Sequence, residues 1–511
     1  MESKKPIVYV LGVPGQFYLA EAVSKEFDRP VIGITNYARV EEKITPEIRA
    51  TFDEIYSLPD FYLSNKEELE KMDEQAFDAL FRDLEKKFGI GNNTILAQYD
   101  RGLRWASDYK KVRVLQLATM QFVDKFLSEV DPVFVLDGVV TYLHLILRAA
   151  CREKYIPYPL TQNSRLNNHI NMLHISGQHV GLQECFEDLQ SGKKTFLSDE
   201  ILADADRAFY EFINKPVRPA YAVNNSVIKL NFAKMFKNLL KTLRPEKLFP
   251  GQKVVAFDRA FNYESHPLVY LKKGLIGKYR RFEQKLKRVF DDQPDMNAPF
   301  IYLPLHYVPE VSDMYFGSAC DHHSGFVAQF SKHIPADCQV YVKEHTSMLG
   351  QRPTAFYDEL NSIYNVRVIS PSVDTFELTR HARAVAAVTG TAGWEGFLLG
   401  TPVIALGDVF YNFLPGVFAA PVNDDLHDGL VEYLENFQSN EKERLNAFRA
   451  FYATCGKSKN GDIGYEVTQE GARENAVLFA GVIRKYFEEW GHTIHGDFDK
   501  DLLGIPKRGA A

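Results

Sequence analysis

Two α/β domains in tandem, each built on a parallel sheet covered by helices, are the fold class this sequence predicts. Three observations carry the prediction. Strand-like runs alternate with helical patterns in both halves, which implies parallel sheets covered on both faces. The chain has 511 residues, and a domain usually takes ~100 to 200, so there is length for two or three cores. The composition, 45% hydrophobic and 25% charged, is that of an ordinary soluble protein, and aromatics at 13% exclude disorder.

In the first half, the apolar run Pro6 to Leu11 stops at Gly12-Val13-Pro14-Gly15 and a helical pattern follows from Phe17 to Glu26. Val31 to Thr35 reads as a second strand. Ser64 with Glu67 forms a capping box; Leu69, Met72, Ala76, Leu80, Leu84 and Phe88 then repeat at helical spacing until Gly89 supplies a stop. A further helix is expected from Val112 to Val130, with Leu115, Ala118, Phe122 and Phe126 on one stripe. Val133 to Leu136 is a strand ended by Asp137-Gly138, and Tyr142 to Lys154 reads as a helix.

The second half repeats this grammar. Strands are expected at Phe300 to Leu305, Val340 to Lys343, Val366 to Ile369, Ala384 to Val388 and Val403 to Leu406. Helices are expected at Ser324 to Lys332, Thr375 to Ala382, Gly393 to Leu399 and Glu470 to Trp490. The implied division is an N-terminal domain over 1–225, a basic linking segment over 226–295, a C-terminal domain over 296–490 and a loose tail over 491–511.

Sixty Lys and Arg against 67 Asp and Glu give a net charge of −7, too acidic for a general nucleic-acid binder. The charge is uneven: residues 229–288 hold sixteen Lys or Arg against four acids, a local +12 that leaves −19 elsewhere. Ile228, Phe232, Met235, Phe236, Leu239 and Leu243 open that stretch on one helical face, with Lys234, Lys237 and Lys241 opposite. A basic amphipathic helix suits an anionic membrane surface; a solvated helix packed between domains has the same pattern. The five cysteines are widely spaced, with no C-x-x-C, which fits a reducing compartment. Neither a signal-peptide pattern nor a membrane-length apolar run is present, so a cytoplasmic protein, peripheral on the inner face of the membrane, is expected.

Chemistry is expected first at Lys343-Glu344-His345, where a strand end delivers a cation, a carboxylate and an imidazole to the carboxyl edge of a sheet. Lys343 and His345, two residues apart, would share one side and suit a phosphate. Thr389-Gly390-Thr391, between a strand and a helix, would let backbone N–H groups approach an anion, and Glu395 in the first turn would accept from ribose hydroxyls. That turn matches neither the Walker pattern nor G-x-G-x-x-G. Cys320-Asp321-His322-His323 contains metal-ligand types at no standard zinc spacing.

Leu303-Pro304-Leu305-His306 followed by Pro309-Glu310, then Tyr341 to His345, Gly350 to Arg352, Phe356-Tyr357, Asn365-Val366, Thr389 to Glu395 and Gly400-Thr401-Pro402 resemble the capsular polysaccharide biosynthesis family. Members of that family include transferases of the ulosonic acid Kdo. The resemblance covers residues 296 to 420 and is diffuse upstream. It implies a GT-B glycosyltransferase: two Rossmann-like domains facing each other across a cleft. The donor side would comprise His306, Glu310, Lys343, His345, Thr389, Gly390, Thr391 and Glu395, with a CMP-activated acidic sugar as substrate and no cofactor or metal. One departure is His345-Thr346 where the family shows His-Pro. A transferase also needs a carboxylate near the acceptor. Asp137, ending a first-domain strand, is the catalytic candidate, although Asp-Gly is commonly a turn, and Arg165 is the candidate for binding an acidic donor or acceptor. The acceptor implied is a glycan or lipid-linked glycan. Alternatives are a GT-B-shaped sugar-nucleotide epimerase, a CDP-glycerol-type phosphotransferase and a non-catalytic capsule assembly factor.

Overall fold

The structure, a computed structural model, describes residues 4–11, 16–100, 102–103, 106, 108–137, 141–164, 166, 168–173, 179–193, 197–217, 250–261, 267–308, 320, 322–419, 426–458 and 469–494. It divides into two units, Met1–Gly181 with Asn231–Val269 and Cys455–Ala511, and Leu182–Leu230 with Tyr270–Thr454. Each is α/β with a parallel sheet, as the alternation of strands and helices predicts.

The first unit's sheet has the order β3-β2-β1-β4, with β1 (Ile7–Leu11), β2 (Val31–Thr35), β3 (Glu54–Ser57) and β4 (Phe134–Leu136) all parallel. Every residue of β1 is buried, as a central strand covered on both faces requires. Helices α1 (Gln16–Phe27), α2 (Leu58–Lys71), α3 (Glu74–Lys87), α4 (Tyr109–Glu129) and α5 (Tyr142–Glu153) surround it. Val8, Val10 and Val135 face a core shared with Tyr62 of α2, Phe122 and Phe126 of α4 and Ile146 of α5. On the other face, Phe134 of β4 lies 5.3 Å from Phe27 of α1 and 4.7 Å from Phe487, ring centre to ring centre.

The helix predicted across Ser64 to Phe88 is two helices. Ser57 Oγ accepts from Asp60 N at 3.0 Å and begins α2, with Pro59 in its first turn, so Ser64 lies inside the helix rather than at its cap. Met72 then turns extended (ψ 141°), and Asp73 Oδ1 accepts from Gln75 N and Ala76 N to begin α3. The apolar repeat runs on through the break because Met72 and Ala76 keep helical spacing, which conceals it. Gly89, at φ +61°, stops α3 as expected. A small antiparallel sheet, β5 (Leu160–Asn163), β6 (His169–Leu173) and Gly456–Lys457, was not legible from the pattern.

The second unit's sheet has the order β12-β11-β10-β7-β8-β9. Its strands are β7 (Phe300–Pro304), β8 (Gln339–Lys343), β9 (Val366–Ile369), β10 (Ala384–Ala387), β11 (Val403–Ala405) and β12 (Val417–Ala419), all parallel. One face packs Ile301, Leu303, Val340 and Val342 against Val327, Phe330, Tyr357 and Leu360. The other packs Phe300, Tyr302 and Tyr341 against Leu378 and Ala392.

The units differ from the predicted division, and the linking segment expected over 226–295 is shared between them. The helices α6 (Leu182–Ser191) and α7 (Asp199–Asn214) belong with the second unit. There Arg449 grips Asp206 through two hydrogen bonds of 2.6 and 2.7 Å, and Phe209 lies 5.7 Å from Phe448. The C-terminal helix runs from Gln469 to Ile494, past the expected end at Trp490, and belongs with the first unit, where it packs on α1. The expected tail therefore loses its first residues to helix, and 495–511 lie outside the described residues. The predicted amphipathic helix over Ile228 to Leu243 and the turn Gly12 to Gly15 also lie outside them. All five cysteines are buried thiols. Among the described residues no helix is long and apolar enough to cross a membrane.

Candidate functional site

In an open parallel sheet, ligands bind beyond the carboxyl ends of the strands where the chain order reverses. In the second unit that point lies between β7 and β10, since β7 continues to β8 and β9 on one side while β10, β11 and β12 lie on the other. His306 follows β7 and Thr389 follows β10. The two meet: Thr389 N donates to His306 Nε2 at 3.4 Å.

The turn after β10 leads into α12 (Thr391–Leu399); the shorter helices before it are numbered α9 (His323–Phe330), α10 (Thr354–Asn361) and α11 (Thr375–His381), with α8 (Pro267–Leu286) preceding them. Gly390 is the N-cap of α12. A Cβ there would stand 3.2 Å from His306 Cε1, so a small residue lets the imidazole lie against the backbone. A Cβ on Gly393 would stand 2.2 Å from the Tyr411 hydroxyl, which itself donates to Gly390 O at 2.7 Å. The start of α12 is thus packed from below by Tyr411 and flanked by His306. The first N–H groups of a helix lack intrahelical acceptors and carry its positive partial charge, so this end suits an anion.

Glu395 stands in the second turn, not the first as expected, and accepts from Thr391 Oγ1 at 3.2 Å. Its predicted ribose contact is replaced here by this local i,i+4 bond.

The strand end Lys343-Glu344-His345 sends its side chains three ways. Lys343 is buried, and Nζ donates to Thr375 Oγ1 at 2.8 Å and to Val373 O at the start of α11. This corrects the expectation that it shares a phosphate with His345: alternation holds only while the strand continues, and β8 ends at Lys343. His345 is exposed, and its Nδ1 accepts from Ser347 N at 3.3 Å, capping a short 3₁₀ turn.

Glu344 turns to the opposite face and is fully buried. It accepts from Arg352 Nε at 2.8 Å, Tyr357 OH at 2.8 Å and His345 N at 2.7 Å. Burial and the neighbouring Glu344 carboxylate push the Tyr357 phenol far above its ordinary range. Arg352 also donates from Nη2 to His306 O at 3.0 Å and lies 2.7 Å from His323 Nδ1, with its guanidinium 4.7 Å from the centre of the Phe356 ring. Arg352 thus ties the strand ends of β7 and β8 together. Sequence reasoning assigned it no role, although a carboxylate ending a buried strand asks for a cation, and Gly350-Gln351-Arg352 supplies one. Glu310 lies outside the described residues.

In the first unit the order reverses between β1 and β4, and the residues directly after both strands, 12–15 and 138–140, lie outside the described set. Asp137, ending β4, is buried. Its Oδ2 accepts from Arg148 Nη2 at 3.2 Å and Tyr158 OH at 3.1 Å, and Oδ1 lies 3.1 Å from His144 Nε2. That enclosure corrects the catalytic assignment: a base must meet an acceptor hydroxyl, whereas this carboxylate is consumed in holding α5 to β4 and Tyr158. His144 Nδ1 accepts from Thr141 N at 3.2 Å, and burial lowers the imidazole pKa despite Asp137, which keeps the ring neutral.

Beside this cluster is a small pocket, lined by Asn36, Tyr37, Asp100, Thr141 and Phe257 among others. Asp100 accepts from Gly102 N, Leu103 N and Tyr142 N, so a carboxylate already occupies the N-terminus of α5. Asn36 Nδ2 donates to Thr141 Oγ1 at 3.2 Å, and Asn36 Oδ1 has no hydrogen-bond partner among the described residues. Arg165 lies outside the described residues.

Residues 206–420 match the family described as capsule polysaccharide biosynthesis protein. That stretch contains His306, Glu344, His345, Arg352 and the start of α12, and there the resemblance expected from the motifs is borne out. No curated protein matches the chain. Among solved structures, the beta Kdo 2,4 transferase KpsC of Thermosulfurimonas dismutans is 14% identical over 62% of this chain and 79% of its own, with a TM-score of 0.32. The beta Kdo 2,7 transferase of the same organism's KpsC is 11% identical over 70% and 89%, also at 0.32. UDP-GlcNAc 2-epimerase from Methanocaldococcus jannaschii is 11% identical over 94% and 99%, at 0.22. The fold class rests on the two parallel sheets themselves.

Proposed function

We propose that the chain is a glycosyltransferase of surface polysaccharide biosynthesis that takes its sugar from a nucleotide donor. The observation that carries the reading is the meeting of His306 with Thr389 at the reversal point of the second sheet, inside the stretch that matches the capsule family. The donor phosphate sits at the N-terminus of α12, where the backbone N–H groups after Gly390 offset its charge and His306 stands beside it. His345, exposed at the adjacent strand end, and Glu310 complete the donor side. Glu344 and Arg352 position this set and do not touch the donor.

The donor is a CMP-activated ulosonic or sialic-type acid, and the acceptor is a glycan hydroxyl. The acceptor oxygen bonds to the anomeric carbon, the bond from that carbon to the phosphate oxygen breaks with its electron pair leaving on CMP, and the acceptor's proton passes to solvent. The pocket at Asn36 and Thr141 suits a neutral hydroxyl, because Asp100 disfavours an anion beside it. No metal takes part.

Thermal-shift measurements against CMP, CDP, UDP and GDP test the reading. CMP is expected to raise the melting temperature, and His306→Ala to remove the shift. Stabilisation by UDP alone, or an unchanged CMP shift in His306→Ala, refutes the assignment. Turnover of a sugar nucleotide with no glycan present identifies an epimerase instead.

A further inference from the structure

Helix α8 is held by one face, and its opposite face carries exposed side chains. Gly277 and Gln284, seven residues apart, are buried. Gln284 Nε2 donates to Arg352 O at 3.0 Å, and Arg281 Nε donates to Leu349 O at 2.8 Å. Gly350, at φ +74°, brings its backbone against Gly277: a Cβ there would stand 2.2 Å from Gly277 O.

On the far side, Leu275, Tyr279, Phe282 and Leu286 recur at i, i+4, i+7 and i+11, which places them on one stripe. They are 68%, 67%, 67% and 72% exposed. Scattered apolar residues are common on surfaces, but four large ones in register on a helix face indicate an interaction site.

The charge around the stripe selects the occupant. Lys272, Lys278 and Lys285 are exposed along its edges, and residues 272–288 carry eight Lys or Arg against Glu283 alone. That acid is already engaged: Thr354 Oγ1 donates to it at 2.7 Å and Lys287 lies 3.2 Å away. An apolar stripe edged by lysines matches the boundary of an anionic bilayer, where the apolar groups enter the acyl region and the ammonium groups reach back to headgroups.

We propose that the outer face of α8 is a docking surface for anionic phospholipid bilayers, with Leu275, Tyr279, Phe282 and Leu286 inserting and Lys272, Lys278 and Lys285 contacting headgroups. This stands apart from the predicted helix over Ile228 to Leu243 and is independent of which sugar is moved. It gives the protein a lipid surface beside the loop that carries Arg352.

The test is flotation of the full chain with vesicles of phosphatidylcholine alone and of phosphatidylcholine mixed with phosphatidylglycerol, at low and high salt. Wild type is expected to float with the mixed vesicles, to bind the neutral ones about tenfold or more weakly, and to dissociate as salt rises. Tyr279→Ser with Phe282→Ser should lower partitioning at least about tenfold. Lys278→Gln with Lys285→Gln should lower it about fivefold per lysine on mixed vesicles only. All four positions are exposed, so circular dichroism and melting temperature should match wild type. Failure of wild type to bind mixed vesicles overturns the proposal, as does equal binding to neutral vesicles or undiminished binding by the Tyr279 and Phe282 variant. A concentration-dependent dimer that this variant loses, without vesicle binding by either protein, assigns the face to a second copy and likewise overturns it.

Discussion

Glu344→Ala strikes the second unit's site at its most enclosed group. The carboxylate has no exposed surface and neutralises a guanidinium whose side chain is 11% exposed. Its removal leaves Arg352 without a counter-charge and takes the acceptor from Tyr357 OH and His345 N. Breaking a buried pair by deleting one partner costs about 3–5 kcal/mol, and a buried hydroxyl left without its acceptor costs about 1–3 kcal/mol. Water entering the vacated space relieves part of this, so the net expectation is about 4 kcal/mol. At about 2–4 °C per kcal/mol, the second unit should melt roughly 8–16 °C lower.

Trp394, buried in that unit, reports its unfolding in urea once the other two tryptophans, Trp105 and Trp490, are replaced by Phe. The decisive comparison is the double variant Glu344→Leu with Arg352→Met. Because it buries no charge, it should be more stable than Glu344→Ala. A Glu344→Ala protein within about 0.5 kcal/mol of its parent would refute the reasoning. So would a double variant less stable than the single one.

Gly393→Ala places a Cβ 2.2 Å from the Tyr411 hydroxyl and 2.8 Å from its ring; about 1–3 kcal/mol of stability should be lost, with weaker nucleotide binding by calorimetry as the start of α12 shifts. His144 has a folded pKa lowered by burial, so the unfolded chain takes up a proton first as pH falls through about 6.5. The first unit's stability should therefore be level above that pH and decline below it, by up to about 1.4 kcal/mol per pH unit from this group, and urea midpoints across the range should show a shallower decline in His144→Gln. Phe487→Ala should cost the first unit about 3–5 kcal/mol, read from its urea midpoint, because the ring packs against both Phe27 and Phe134.

Much of the fold was legible because central parallel strands are buried on both faces and read as apolar runs. Val31–Thr35 and Val366–Ile369 match their expected limits. The edge strand β3, Glu54–Ser57, has no fully buried residue and leaves no such run. Helix α7 carries its own periodicity, but nothing local says that Asp206 will meet Arg449, so its unit could not be read. The strand end at Lys343 to His345 does lie at the carboxyl edge of the sheet, yet which groups face solvent depends on where β8 stops and on what α11 and Arg352 offer, which are tertiary facts. Asp137 shows the same limit, since an Asp at a strand end has one sequence signature whether solvent or an Arg148 guanidinium meets it.

The return of the C-terminal helix sets an order of assembly during synthesis. Phe134 emerges early, but the ring that covers it, Phe487, follows roughly 350 residues later, on the order of tens of seconds at the ribosome. The second unit has its last helix by Thr454. It can close on its own residues while the first unit, begun earlier, still holds an uncovered apolar face. The nascent chain is therefore most exposed to aggregation at its oldest part, and chaperone engagement should concentrate on residues around Phe27 and Phe134 rather than on the segment leaving the tunnel.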